Sequence, residues 1–395
     1  MHSIEYLNLK EEVDNINYVL SLNLDFPQKH IDYINLAIQK TENLPLGEEN
    51  SVELPCISFE LLDTYRSLLS NGDFDQINDI YNQIIEKNIG HTINEGFTNY
   101  LDMYKRANNN ESFDNSDLKK IDKRINFYCD KLKNFYEGFE KNEKIHPYKL
   151  NGLRIKGYDI EVNIKDIIKK LKSLDQGFGE FIQYSMEYGY INLEEGAHQE
   201  GFFLELPYSN KIYIYISCTG DLDDFLNTIH EIGHAYHFYI SRQLNNKNRN
   251  NSTEMKEFLA HSFEAIYLKK FHKELIDIYN IHQISSILWN IVLFKFQENI
   301  YNSHISYYKL DEKNKLFLSL VKKYTHKYLE NNSEFDNVLK PLWTYESSLL
   351  ESPYYNLEYI FSQLNSLRLI NKDKITLDYL KKLANSNLKN LISKF

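Results

Sequence analysis

Midway along the chain, His230-Glu231-Ile232-Gly233-His234 places three titratable side chains inside an apolar helical pattern. Ile229, Ala235 and Phe238 flank the string, so the helix that carries it belongs in the interior. Two imidazoles and a carboxylate cannot be buried there without partners, because each would lose its hydration uncompensated. The fold must therefore wrap this helix and bring polar groups to it. Residues 230 and 234 are four apart and share one helix face, so both imidazoles can point at one metal ion. Glu231 lies one position on, within reach of a water beside that ion rather than of the ion itself. Zinc lowers the pKa of such a water to about 7, and a carboxylate in that place can take its proton. This is the chemistry of the HExxH pattern.

The surroundings of the string are mostly helical. Only seven prolines and 14 glycines punctuate 395 residues, which favours long helices over a strand-and-turn fold. Amphipathic spacing runs from Glu5 to about Glu143, including Phe59–Leu69 and Asp117–Tyr136, with a polar loop at Ala107–Asp117 between those two. A further helical block covers Val162–Ile191. The period then changes: Phe202–Leu206 and Lys211–Ser217 flank the turn residues Pro207–Asn210, a β-hairpin signal. Asp221 is placed to cap a helix over Leu222–Leu244, and Asn245–Ser252 reads as a polar loop. Helical spacing resumes to the C-terminus, with breaks near Asn331 and Pro353. The expected fold class is mostly α, with one small β-sheet next to the HExxH helix.

A catalytic zinc takes three protein ligands and keeps one position open. The segment after the polar loop offers Glu257, His261 and Glu264 at i, i+4 and i+7, one face of a helix. Glu257 can complete the ligand set if that face meets the first helix, and Glu264 can then accept from a ligand imidazole and fix its orientation. His261 is equally placed to be the ligand on spacing alone. His237, three residues after His234, reads as structural.

Composition excludes other classes. A formal charge of -11 opposes binding of nucleic acid through the overall field. No apolar run approaches the about 18 residues of a membrane span. Three scattered cysteines build neither a disulfide framework nor a CxxC zinc site. The N-terminus turns acidic at once, against the pattern of a secretory signal, so a cytoplasmic protein is expected. Gly177–Phe181 is not a phosphate-binding GxGxxG, and no Ser or Cys nucleophile motif occurs.

Taken together, these segments resemble the thimet oligopeptidase and oligoendopeptidase F family of zinc peptidases. The residues His230–His237 are similar to that family's HExGHAxH. Glu257 and Glu264 match its third zinc ligand and the Glu seven residues later. Gly201-Phe202-Phe203 and the Ile/Tyr strand at 212–216 resemble its Gly-Gly-aromatic segment and its substrate-pairing edge strand. Glu351–Tyr359 resembles its tyrosine-rich run. The resemblance covers roughly residues 155–370. It implies a zincin-type helical fold with a substrate channel between helical lobes, an N-terminal helical region (1–150) that partly roofs the channel, and a catalytic domain (151–395). It implies zinc held by His230, His234 and Glu257, with Glu231 as general base. Tyr355 and Tyr359 would stabilise the oxyanion or hold the substrate, His261 and Glu264 would support the ligands, and Gly201, Phe202, Ile214, Tyr215 and Tyr354 would contact the substrate. The implied activity is internal cleavage of short unstructured peptides. A peptidase dedicated to one leader or signal peptide, and a catalytically weak peptide-binding protein, are the alternatives. Two positions depart from the family pattern: Ser348 stands where it has a histidine, and Asn356 where it has a tyrosine.

Overall fold

The computed structural model describes residues 4–41, 54–55, 59–108, 127, 130–131, 162–195, 201–218, 222–242, 252–325, 333–370 and 376–383. Five helices come first: α1 (Ile4–Ser21), α2 (Gln28–Thr41), α3 (Phe59–Asn71), α4 (Phe74–Asn94) and α5 (Tyr100–Ala107). Then come α6 (Ile164–Leu174), α7 (Gln176–Glu187), strands β1 (Ile191–Glu195), β2 (Phe202–Leu206) and β3 (Lys211–Cys218), and the central helices α8 (Leu222–Ser241) and α9 (Thr253–Phe271). The chain continues through α10 (Ile276–Asn302), α11 (Leu310–Thr325), α12 (Ser333–Leu339), α13 (Ser348–Glu351), α14 (Asn356–Ile370) and α15 (Leu377–Leu383). The mostly helical class and the hairpin at 202–218 are as expected. Among the described residues no helix is long and apolar enough to cross a membrane. Most of the expected helix at Asp117–Tyr136, the Asp221 cap and most of the Asn245–Ser252 loop lie outside the described residues.

Two features differ from the sequence expectation. The block Val162–Ile191 is two helices, because Asp175 leaves the first in an extended conformation and its side chain accepts from Phe178 N at 3.1 Å, capping the second. The block also ends in a turn: Gly189 adopts φ +76, a conformation open to glycine, and the chain then enters a third strand, β1. β1 pairs parallel with β3 and β2 pairs antiparallel with it, giving the order β1-β3-β2. β3 is therefore the central strand. Its Ile212, Ile214 and Ile216 are buried on the face toward α8, and Tyr213 and Tyr215 on the face toward α1 and α2.

Among the described residues, three apolar clusters form the core. One joins α3, α4 and α5 to α10, α11 and α14. The second joins α6, α7 and the sheet to α8, α9 and α15. The third packs α1 and α2 on the outer face of β2 and β3. Helix α10 enters both of the larger clusters, with Ile278 and Tyr279 in one and Ile281 through Ile300 in the other. A buried polar chain also fastens the first two helices. Glu12 Oε1 meets His30 Nε2 at 2.7 Å and Glu12 Oε2 accepts from Ser209 N at 2.9 Å. His30 Nδ1 lies 3.0 Å from the Tyr190 hydroxyl, which accepts from Lys211 Nζ at 2.6 Å.

Candidate metal centre and its cavity

Helices α8 and α9 cross at unusually close range. A Cβ built on Gly233 would lie 2.8 Å from the Cα of Ala260 and 2.9 Å from its carbonyl oxygen. Two residues without bulk thus let two backbones touch. That contact brings the polar stripes of the two helices together. Ser252 starts α9 correctly, its Oγ accepting from Met255 N at 3.4 Å.

The three side chains singled out by spacing meet at one point. His230 Nε2 and His234 Nε2 are 3.1 Å apart, and Glu257 Oε2 lies 3.2 Å from the first and 3.6 Å from the second. Ligand atoms about 2.0–2.1 Å from a tetrahedral zinc are about 3.3–3.4 Å from one another. The triangle has that size, and its two nitrogens and one carboxylate oxygen are a donor set zinc accepts. Glu257 Oε2 is buried with no hydrogen-bond partner, an acceptor left open at one corner of the triangle. A magnesium or calcium site would be built from oxygens instead.

Glu264 lies behind the triangle. Its Oε1 contacts His230 Nδ1 at 2.5 Å and His261 Nδ1 at 2.9 Å. This holds the His230 ring with Nε2 turned to the triangle. His261 sits on the Nδ1 side of His230, beyond Glu264, with its carbonyl accepting from the Tyr279 hydroxyl at 3.1 Å. Of the two candidates left open by spacing, Glu257 is the one that closes the triangle with both histidines of the HExxH string.

Electrostatics follow the geometry. Burial would raise Glu257 and Glu264, but the imidazoles of His230, His234 and His261 overcome it and hold both carboxyls below their ordinary range. Burial would lower His230, and the two carboxylates override it and raise it. Burial raises Glu231 against the lowering pull of His230 and His234, and Glu257 and Glu264 add to the rise. Burial lowers His237 to about 4, so it stays neutral, in keeping with a structural role.

The triangle opens into a cavity of about 940 Å³. Gly201 and, from β2, Phe202, Phe203 and Glu205 line one wall, and α8 and α9 supply the floor with Glu231 and Lys256. Tyr355 and Tyr359, before and within α14, face it from the other side. The Tyr355 hydroxyl donates to Glu257 Oε1 at 3.1 Å, and the two tyrosine rings pack edge to face at 5.1 Å. Burial, then Tyr359 and Glu257, raise the Tyr355 phenol well above its ordinary value, so it keeps its proton.

Three expected contacts are corrected. Ile214 and Tyr215 belong to the central strand, their main-chain groups consumed by β1 and β2 and their side chains buried, so neither offers an edge to a ligand. Among the described residues the sheet's edges are β1 and β2, and β2 is the one that lines the cavity. Tyr354 is buried in the α5, α10 and α14 core, stacked on Tyr100, and its N–H donates to Gln297 Oε1 at 2.8 Å. Its φ of +69 is left-handed, and it is absent from the lining of the cavity that Tyr355 enters. Ser348 starts the one-turn helix α13 and does not line the cavity, whereas His282 and Gln283 of α10 do.

Further residues complete the site. Phe203 stacks on His234 with ring centroids 5.7 Å apart. Lys256 Nζ pairs with Glu205 Oε1 at 2.7 Å. Glu11 and Asn15 reach the cavity from α1. Their partners lie far off in the chain, where no periodicity can point to them.

The sequence matches no protein-family model and no curated protein. The structure matches solved ones. It superposes on PZ peptidase A, determined with an inhibitor, with a TM-score of 0.67 and 17% identity, over 81% of this chain and 63% of that one. A chain provisionally named oligoendopeptidase F gives 0.62 and 16%, over 85% of this chain and 62% of that one. Another of that name, from Bacillus anthracis str. Ames, gives 0.60 and 16%, over 81% and 61%. The chain therefore spans less than two-thirds of the length of each of these structures. At such identities the likeness is one of fold: the chain has the helical architecture of these oligopeptidases, with its small sheet beside the HExxH helix.

Proposed function

We propose that the chain is a zinc-dependent endopeptidase for short unstructured peptides, with His230, His234 and Glu257 as the zinc ligands. The observation that carries this reading is the triangle of 3.1, 3.2 and 3.6 Å formed by two Nε2 atoms and an otherwise unpartnered carboxylate oxygen. Its opening into a cavity walled by a strand edge supports the choice of a peptide as substrate. The solved peptidases of the same fold support it further.

A zinc ion held there supplies Lewis acidity, making water a usable nucleophile near neutral pH and polarising the carbonyl under attack. The rest of the chemistry belongs to the chain. Glu231, buried beside the triangle, takes the proton of the attacking water and delivers it to the leaving amine. Tyr355 and Tyr359 are phenols on the opposite wall, positioned to donate to the oxygen that gains charge. Tyr355 reaches it by leaving Glu257. Gly201 and Phe202, at the start of β2, sit along the peptide's path, and α1 closes one side of the cavity with Glu11 and Asn15.

Mass spectrometry of a mixed peptide pool, incubated with zinc-loaded protein and with Glu231→Gln, tests the reading. The wild type should make internal cuts that a chelator stops and zinc restores, and Glu231→Gln should make none while holding the same zinc content. Cutting by Glu231→Gln at the wild-type rate would remove Glu231 from its role. A folded, zinc-loaded wild type that cuts nothing in the pool would overturn the general endopeptidase and leave a dedicated-substrate peptidase or a peptide-binding protein.

A further inference from the structure

The free side of β2 can be assigned residue by residue. Ile214 N donates to Tyr190 O, on the side of β1. Main-chain groups alternate along a strand, so those of Tyr213 and Tyr215 face β2. Their register partners Leu204 and Phe202 therefore spend their groups on β3. Phe203 and Glu205 point theirs away from the sheet, along the cavity. The Asn15 side chain shows this independently: its Nδ2 donates to the Glu205 carbonyl at 2.9 Å.

β2 also runs alongside α8 in a fixed sense. Gly201 sits against Asn227, where an added Cβ would be 2.4 Å from the amide nitrogen. Phe203 stacks on His234 at the candidate metal centre. Glu205 is one pleat further, tied to Lys256 at 2.7 Å and to Asn15 of α1. Of the two outward-facing residues, Phe203 keeps its N–H and carbonyl toward the cavity, and Glu205 has its carbonyl occupied by this chain's own helix. Glu11, one turn before Asn15, lines the same end.

We propose that α1, through Asn15, is an end-stop that limits the substrate to about two residues on the N-terminal side of the cleaved bond. A peptide joining β2 antiparallel, the direction β3 already takes on its other side, runs from Glu205 toward Phe202. One residue pairs with Phe203 at the metal centre, and a second lies opposite Leu204. A third arrives at Glu205, where the acceptor is already taken by Asn15 of α1. The class of substrate is thus a peptide cut about two residues from its N-terminus, a narrower activity than the general internal cleavage proposed above. The inference rests on the peptidase reading of this cavity.

The test is a ladder of peptides with one common cleaved bond and one to six residues before it, with a matching ladder extended on the C-terminal side. Cleavage is followed by mass spectrometry, and binding to Glu231→Gln by fluorescence anisotropy. The wild type should lose about tenfold or more in kcat/KM at the third N-terminal residue and show no such step on the C-terminal ladder. Asn15→Ala should move the step to a longer peptide. Uniform cleavage of both ladders by the wild type overturns the end-stop and leaves the peptidase standing, and a step on the C-terminal ladder alone overturns the antiparallel direction and the proposal with it. Length-limited binding without any cleavage upholds the end-stop and overturns the peptidase. No binding of any ladder member overturns both.

Discussion

A single oxygen, Glu264 Oε1, serves two imidazoles, His230 and His261, from a position that is 2% exposed. Carboxylates behind a ligand histidine fix its tautomer and raise its basicity, and their loss costs about 10–100-fold in metal affinity. Glu264→Ala should therefore weaken zinc binding by about that factor, measured by competition with a chromophoric chelator, while the fold survives by circular dichroism. An unchanged affinity would mean that Glu264 only satisfies buried donors. At this scale the sequence was legible wherever a partner sat three, four or seven positions away. His230 with His234, and Glu257 with Glu264, were placed by helix period alone. His261 was ambiguous because period defines a face and says nothing of depth. Tyr355 and Tyr359 came from the family likeness and do line the cavity, whereas Tyr354 in the same run does not: it is left-handed and buried in the core. Asn15 on Glu205, 190 positions apart, was invisible for lack of any local pattern.

The element that matters most is the α8–α9 pair, and its tightness depends on Gly233. An alanine there would place its methyl 2.8 Å from a backbone atom, which cannot rotate away as a flexible side chain does. The helices must separate by a few tenths of an ångström, and overpacking of this kind costs about 1–3 kcal/mol. The separation also enlarges the triangle, since His230 and His234 ride on one helix and Glu257 on the other. Gly233→Ala should then lower thermal stability and zinc affinity together, read by calorimetry and by zinc titration. Stability lost at unchanged affinity would show that the triangle does not depend on the close crossing. The hairpin was legible from its Ile/Tyr alternation and turn residues. β1 was not: five residues ending in two glutamates, joined to a helical block through Gly189, carry too little period to separate from the helix before them. The family resemblance makes 212–216 an edge strand, whereas β1 pairs on its other side and makes it central.

On the scale of the molecule, helices from both ends of the sequence share their cores, and one buried amine sits at such a junction. Lys313 of α11 has no exposed surface, and its Nζ donates to Asn78 Oδ1 at 2.7 Å and Asn82 Oδ1 at 2.6 Å on α4 and to the Tyr308 carbonyl at 3.1 Å. The rings of Tyr81 and Trp343 lie 5.7 and 5.9 Å away. Burial lowers the amine to about 7, against a weaker opposing pull from Asp79. In the unfolded chain the same amine titrates near about 10.4. Between those values the unfolded chain holds a proton that the folded chain has released, so this group makes stability rise with pH. Below about 7 both states are protonated and above about 10.4 both are neutral, and the contribution is flat in each range. The full difference of one proton gives a slope of about 1.4 kcal/mol per pH unit. Lys313→Met removes the titration and nearly keeps the volume, leaving the two asparagine oxygens without their donor at every pH. The difference in unfolding free energy between wild type and Lys313→Met, measured by urea titration from about pH 7.5 to about pH 9.5, should therefore grow in favour of the wild type with a slope near that value. A constant difference across the window would mean that the amine stays charged in the folded protein, its three oxygen acceptors and two aromatic faces outweighing its burial.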